Sequence, residues 1–396
     1  MRSWKLATAA ALAFALAACQ EPSSPTRADA SPELAAQGGG QHGDVIPGQF
    51  IVVFNENVSD ASTVAAGLAR SYGATVLHRY SAVLKGFAAR LSPQAVEALA
   101  RNPNVAYIEP DRVVTLETTQ NMDANGDPWG LDRIDERALP LSRTYTYTAT
   151  GSGVRVYIID TGIATSHSQF GGRASNVYDA FGGNGQDCHG HGTHVAGTVG
   201  ASTWGVAKSS LPRGVRVLNC SGSGSTSGII AGLDWVRVNH IKPAAANMSL
   251  GGGFSSSLNT ATTNLWNAGV FVAVAAGNSN ANACNFSPAS ASGAFTTASS
   301  TRTDAKSSFS NWGSCVEAYA PGSSIKSTWL NGGTNTISGT SMASPHVAGV
   351  SALYKATFGD ASSSTIRTWI INNATTGVIT GNPSGTPNRL LYKSTL

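Results

Sequence analysis

The sequence predicts an α/β architecture, a three-layer domain with a mostly parallel sheet, preceded by a small α+β domain. Three observations carry this. Over residues 154–357, short and almost continuously apolar runs alternate with stretches of helical periodicity, as in a parallel sheet covered on both faces. Upstream, residues 49–109 read strand, helix, strand, strand, helix, strand. The chain has 396 residues, more than one average domain, and its 12% of charged residues and 44 glycines suit a turn-rich globular fold.

Along the chain, Arg2 and Lys5 precede an uncharged stretch over residues 6–18. It is too short to span a bilayer but has the length of a secretory signal's apolar core, so residues 1–19 are expected to be a signal peptide and the protein to be secreted. Leu16-Ala17-Ala18-Cys19 resembles a bacterial lipobox, which would tether the precursor to a membrane through lipid on Cys19; ordinary cleavage beside an incidental cysteine is the alternative. Residues 20–44 are rich in Pro, Ser, Ala and Gly and read as a linker.

The small domain spans 45–118. Strands are expected at 49–54, 75–80, 87–91 and 105–109, with a helix over 60–72 and a second one opened by Ser92-Pro93 and running through 101. This order is the ferredoxin-like split βαβ arrangement, and fewer than 80 residues make it marginal alone. A polar stretch through Asp127 suits an exposed processing site, with cleavage expected near 117–122. The main domain covers 119–396. Its strands are expected at 154–159, 215–218, 246–249 and 270–275, and its helices at 191–199, 228–238, 258–268 and 339–357.

With Cys19 in the leader, Cys188, Cys220, Cys284 and Cys315 remain, an even count that reads as two disulfides in an oxidising compartment. Three pairings are open. The nearest-neighbour choice, Cys188 with Cys220 and Cys284 with Cys315, closes loops worth roughly 3 to 4 kcal/mol each. No CxxC spacing supports zinc. The net charge is +4, and no basic run with interleaved aromatics points to nucleic acid.

Three segments carry chemistry. An apolar run delivers Asp160 just before Thr161-Gly162, at the carboxyl end of a strand where such sheets place their sites. His189-Gly190-His191-Gly192-Thr193-His194 sets three histidines at a spacing that also invites a metal reading, although no acidic residue lies within the run. Gly339-Thr340-Ser341-Met342-Ala343-Ser344-Pro345-His346 puts Ser341 at a helix N-terminus, where amides and the dipole favour developing negative charge. A hydroxyl nucleophile needs a base in reach, and the base needs an orienting carboxylate. The chain order Asp, His, Ser differs from the Ser, Asp, His order of α/β-hydrolases and coincides with that of subtilisin.

These segments, with Pro128-Trp129-Gly130-Leu131-Asp132-Arg133-Ile134-Asp135, resemble the proteinase K branch of the subtilisin-like proteases, closest to the aqualysin type. The similarity runs from about residue 128 to Leu396, and the C-terminal prosequence common in that type is not expected here. Pro47-Gly48-Gln49-Phe50-Ile51-Val52 and Val105-Ala106-Tyr107-Ile108-Glu109-Pro110-Asp111 resemble that family's inhibitory propeptide.

The resemblance implies a monomeric serine endopeptidase that acts on protein and peptide substrates and needs no catalytic cofactor. Asp160, His191 and Ser341 would form its triad, with Asn278 as an oxyanion donor. Substrate would add a strand between Gly222-Ser223-Gly224 and Ser249-Leu250-Gly251, with cleavage after apolar or aromatic residues. The propeptide would assist folding, leave its tail in the cleft as an intramolecular inhibitor, and be removed autocatalytically. The family pairs cysteines at matching positions, favouring the nearest-neighbour disulfides. It also implies structural calcium, held by Glu317 with the carbonyls of Ser292 and Ala294 and, at a second site, by Asp132 and Asp135. Two positions depart from the family: Glu317 stands where Asp is usual, as does Asn219. Asp187, His194 and His346 read as structural.

Overall fold

The protein is described here by a computed structural model covering residues 45–115 and 128–396. The signal peptide, Cys19, the linker and the processing stretch at 117–122 lie outside the described residues.

The small domain forms as its local chemistry dictates: β1 (Val45–Phe54), α1 (Ala61–Ser71), β2 (Thr75–Tyr80), β3 (Gly86–Arg90), α2 (Pro93–Leu99) and β4 (Val105–Thr115). Asp60 caps α1 by accepting from the Thr63 amide at 2.9 Å. Ser92 caps α2 through the Ala95 amide at 3.2 Å, with Pro93 in the first turn. The strands are antiparallel in the order β2-β3-β1-β4. Alternation along β1 divides its run in two, for Val52 and Phe54 pack with Phe87 and Leu99 inside the small domain. Ile51 and Val53 join the core of the main domain instead. One face of this strand thus contributes to a core shared with the main domain.

The main domain runs α3 (Trp129–Asp135), β5 (Arg155–Asp160), β6 (Ser175–Asp179), α4 (His191–Gly200), β7 (Leu211–Arg216), β8 (Ser223–Ser225), α5 (Thr226–Asn239) and β9 (Ala244–Met248). It continues with β10 (Gly252–Gly253), α6 (Ser256–Asn267), β11 (Phe271–Ala275), β12 (Phe286–Ser287), β13 (Phe295–Ser300) and β14 (Ala318–Pro321). Last come β15 (Ile325–Thr328), β16 (Thr334–Ile337), α7 (Thr340–Phe358), α8 (Ser363–Asn373), β17 (Thr375–Thr376) and β18 (Arg389–Leu390). The central sheet has the order β17-β18-β14-β13-β11-β9-β5-β7-β6 and is parallel except at β17–β18. Helices α4 and α7 pack together, as do α5 and α6. Strands β9 and β11 are buried at every residue, hence their apolar character, which only Asn247 interrupts.

One expected strand is displaced. The run at 215–218 was apolar enough to read as a strand, whereas β7 begins at Leu211 and includes Pro212 and Gly214. Leu211 donates its amide to Val154 next to β5, so the imide of Pro212 faces the β6 side, and β6 pairs only from Arg213 onward. No ladder donor is missed there. Both disulfides are present as Cys188–Cys220 and Cys284–Cys315, with Cα separations of 4.9 and 5.3 Å.

Candidate active site

Asp160 ends β5 and His191 begins α4, both fully buried. The His191 Nδ1 lies 2.8 Å from Asp160 Oδ1 and 3.0 Å from Oδ2, while the Thr161 amide donates to Oδ1 at 2.7 Å. The helix can start at this point because Gly190, with φ +105°, turns under the Trp329 ring; a Cβ there would meet the ring at 2.5 Å. His191 Nε2 is buried without a hydrogen-bond partner among the described residues.

Ser341 is the second residue of α7, whose first amides have no intrahelical acceptor. Its Oγ donates to the Ser249 carbonyl at 3.1 Å, and Ser249 Oγ returns a bond to the Ser341 carbonyl at 2.7 Å. Beside it opens a pocket lined by Leu250, Gly251, Ala275, Phe286, Asn278 and Ser341, apolar on nearly every wall. Asn278 Oδ1 accepts from the Thr340 amide and from Thr340 Oγ1, both at 2.8 Å, which fixes the orientation of the carboxamide.

The expected substrate edge carries the end of the small domain. Residues Val113, Val114 and Thr115 of β4 pair antiparallel with Ser225, Gly224 and Ser223 of β8. Asn219 shapes the approach to that edge, its Oδ1 accepting from the Ser221 and Ser223 amides at 2.9 and 3.1 Å. Two carboxylates anchor β4 on helix N-termini. Asp111 accepts from the Ser227 amide at 3.0 Å on α5, and Glu109 takes the Ser256 hydroxyl at 2.9 Å on α6. In the reverse direction, Asp234 of α5 accepts from the amides of Ala82 and Val83 at 2.6 and 2.9 Å. Burial pushes the Asp111 and Asp234 carboxyls upward, opposed by these hydrogen bonds.

Asp187 does more than a surface turn residue. It accepts from Thr161 Oγ1 and the His189 and Gly190 amides, each at 2.9 Å. It also takes the Thr193 amide at 2.9 Å and its hydroxyl at 2.6 Å. One carboxylate thereby joins the turn after Asp160 to the start of the His191 helix. An acidic residue just ahead of a helix is the signal that could have revealed it.

His194 and His346 serve packing. His194 Nε2 faces the Ile325 and Asn335 carbonyls at 2.9 and 3.2 Å, and burial drives its pKa down to about 3. His346 Nδ1 faces the Met342 carbonyl at 2.8 Å, and burial lowers its pKa to about 4. Among the described residues, no three His, Cys, Asp or Glu side chains are placed to share an ion.

At both expected calcium positions the protein's own donors engage the carboxylates. Asp132 accepts from the Arg143 amide at 2.7 Å and Ser142 Oγ at 3.1 Å. Asp135 accepts from the Thr146 amide at 2.6 Å and pairs with Lys393 at 2.9 Å. Glu317 and the Ser292 and Ala294 carbonyls do converge, but on the guanidinium of Arg367. Sequence could not show this, since Arg367 lies on a helix 50 residues downstream of Glu317.

The subtilase family profile matches residues 151–390, and that of peptidase inhibitor I9 matches 49–117. An extracellular serine proteinase of Thermus sp. (strain Rt41A) is 48% identical over 373 residues, covering 88% of this chain and 90% of its own. Proteinase R of Parengyodontium album is 44% identical over 374 residues, 93% of each chain. The crystal structure of a cold adapted subtilisin-like serine proteinase superposes with a TM-score of 0.66 at 52% identity, covering 67% of this chain and 97% of that one.

Proposed function

The chain belongs to the subtilase family of serine proteinases, with an I9 inhibitor domain ahead of its peptidase domain, and we propose that it is a secreted endopeptidase of broad specificity that matures by removing its own propeptide. The observation that carries this reading is the strand Val113–Thr115 laid antiparallel on β8, in the place where an extended substrate would add its own main chain.

In the proposed mechanism Ser341 Oγ leaves its contact with Ser249 and attacks the carbonyl carbon of the scissile bond. His191 Nε2 takes the hydroxyl proton and later delivers it to the leaving amine. Asp160, bonded to Nδ1, holds the ring's tautomer and stabilises its cationic form. The oxyanion forms at the start of α7, where the Ser341 amide and the Asn278 carboxamide supply donors. The side chain preceding the cut enters the pocket bounded by Leu250 and Phe286, which suits apolar and aromatic groups. Subtilases need no catalytic cofactor, and every proton is moved by these side chains.

The domain limits proposed are 1–19 for the signal, 20–44 for the linker, 45–118 for the propeptide and 119–396 for the peptidase. Mass spectrometry of secreted protein with and without Ser341→Ala tests the scheme. The parent is expected as a processed chain starting near 117–122 that cleaves casein; the variant is expected uncut after the signal and inactive. Processing and casein cleavage undiminished in Ser341→Ala would end the proposal.

A further inference from the structure

The cation at the Glu317 site comes from the chain itself. Arg367 Nη2 lies 2.5 Å from Glu317 Oε1 and donates to the carbonyls of Ser292, at 3.1 Å, and Ala294. The second Glu317 oxygen is also engaged, accepting from the Thr296 amide at 2.8 Å. The arginine's position is set from its other side by Trp266, whose ring centre lies 4.6 Å from the guanidinium carbon. Burial drives the Glu317 carboxyl up to about 7, with Arg367 pulling the other way.

A calcium ion bound by these oxygens would sit about 2.3 to 2.6 Å from each of them, in the space the guanidinium nitrogen fills. Two cations cannot share that space. We propose that Arg367 is the resident cation of this site, joining α8 to the segment before β13 and to the start of β14 in place of a metal ion. A free ion stabilises only as far as its concentration exceeds its dissociation constant, whereas a tethered guanidinium acts at any calcium level. The site should therefore be indifferent to chelation.

The test uses the full chain carrying Ser341→Ala, which prevents self-digestion during measurement. Terbium stands in for calcium, its luminescence excited through Trp266, and thermal unfolding is followed in calcium and in chelator. The parent is expected to show no terbium emission that depends on Glu317, and the same Tm response to chelation as a Glu317→Gln version, so that any other metal site cancels. Arg367→Met is expected to melt several degrees lower in chelator, regain stability in calcium and acquire saturable, calcium-displaceable terbium emission. Emission from the parent that disappears in Glu317→Gln overturns the proposal, as does an Arg367→Met chain that melts like the parent in both media. Should Arg367→Met not fold, the comparison of parent with Glu317→Gln decides alone.

Discussion

The Asn278 carboxamide can serve an oxyanion only if its orientation is held, and Thr340 is the group that holds it. The Thr340 amide and hydroxyl each donate to Asn278 Oδ1 at 2.8 Å, and Thr340 Oγ1 accepts from the Gly277 amide at 3.0 Å. Thr340→Val keeps the side-chain shape and the amide bond but deletes the hydroxyl. One such neutral hydrogen bond has a net worth of about 1 kcal/mol, equivalent to about fivefold in rate. Stranding the Gly277 amide adds to this, so kcat is expected to fall about 5- to 10-fold with KM within about twofold. Removing the Asn278 side chain itself should cost about 100- to 1,000-fold in kcat, the range established on subtilisin. The assay is a double-mutant cycle on the processed enzyme with a chromogenic peptide anilide. If Thr340 acts through Asn278, Thr340→Val costs almost nothing further in an Asn278→Ala background, and the coupling energy is about 1 kcal/mol. Equal losses in both backgrounds would refute the positioning role, as would a loss confined to KM.

Other expectations follow from the same contacts. In Asp187→Asn an amide group must face donors now met by carboxylate oxygen, so the Asp160 turn and the His191 helix lose part of their common anchor; kcat is expected to drop about tenfold with little change in KM. An unchanged kcat in folded Asp187→Asn would make the carboxylate a plain helix cap. His346 has its pKa lowered from 6.5 to about 4, so the unfolded chain binds its proton first and stability falls as pH drops from 6.5 toward 4. That lowering corresponds to about 3 kcal/mol, and His346→Met in a Ser341→Ala chain should flatten this part of the unfolding free-energy profile measured in urea; an unaltered slope would assign the acid sensitivity elsewhere.

The chemistry was legible because a few residue types recur in small, glycine-rich segments that almost nothing but a site requires. Asp160 at the end of an apolar strand, and His191 and Ser341 each opening a helix, could be placed from local pattern, and the structure brings Asp160 and His191 within hydrogen-bond distance. Elements held by distant partners were less visible. Strand β13, Phe-Thr-Thr-Ala-Ser-Ser, is fully buried although four of its six residues are polar, and two of its hydroxyls find close partners inside: Ser299 Oγ meets Ser307 Oγ at 2.7 Å and Thr296 Oγ1 reaches the Ala289 carbonyl at 2.7 Å. Helix α8 was overlooked because only Ser363, Ile366 and Ile370 of it are buried, too sparse a stripe to read as periodic. The neighbours of the expected calcium residues were hidden for a related reason: aligned carboxylates and carbonyls can be read from the sequence, while Arg367 and Lys393, which pair with Glu317 and Asp135, come close only through the fold.

The position of β4 also bears on why a propeptide would go on inhibiting after it is cut. The ladder between Val113–Thr115 and β8 is made by main chain, which any extended peptide can offer, so it cannot by itself favour the propeptide over substrate. The preference must come from contacts a substrate lacks. These are Asp111 and Glu109 on the starts of α5 and α6, Asp234 on the loop after β2, and the face of β1 bearing Ile51 and Val53 in the main core. All of them lie upstream of residue 116 or within the peptidase domain. A cut at 117–122 leaves every one in place, so on the proposed reading cleavage and release are separate events. The cleft opens only when the propeptide unfolds or is degraded, and its marginal stability when detached is what makes that step possible.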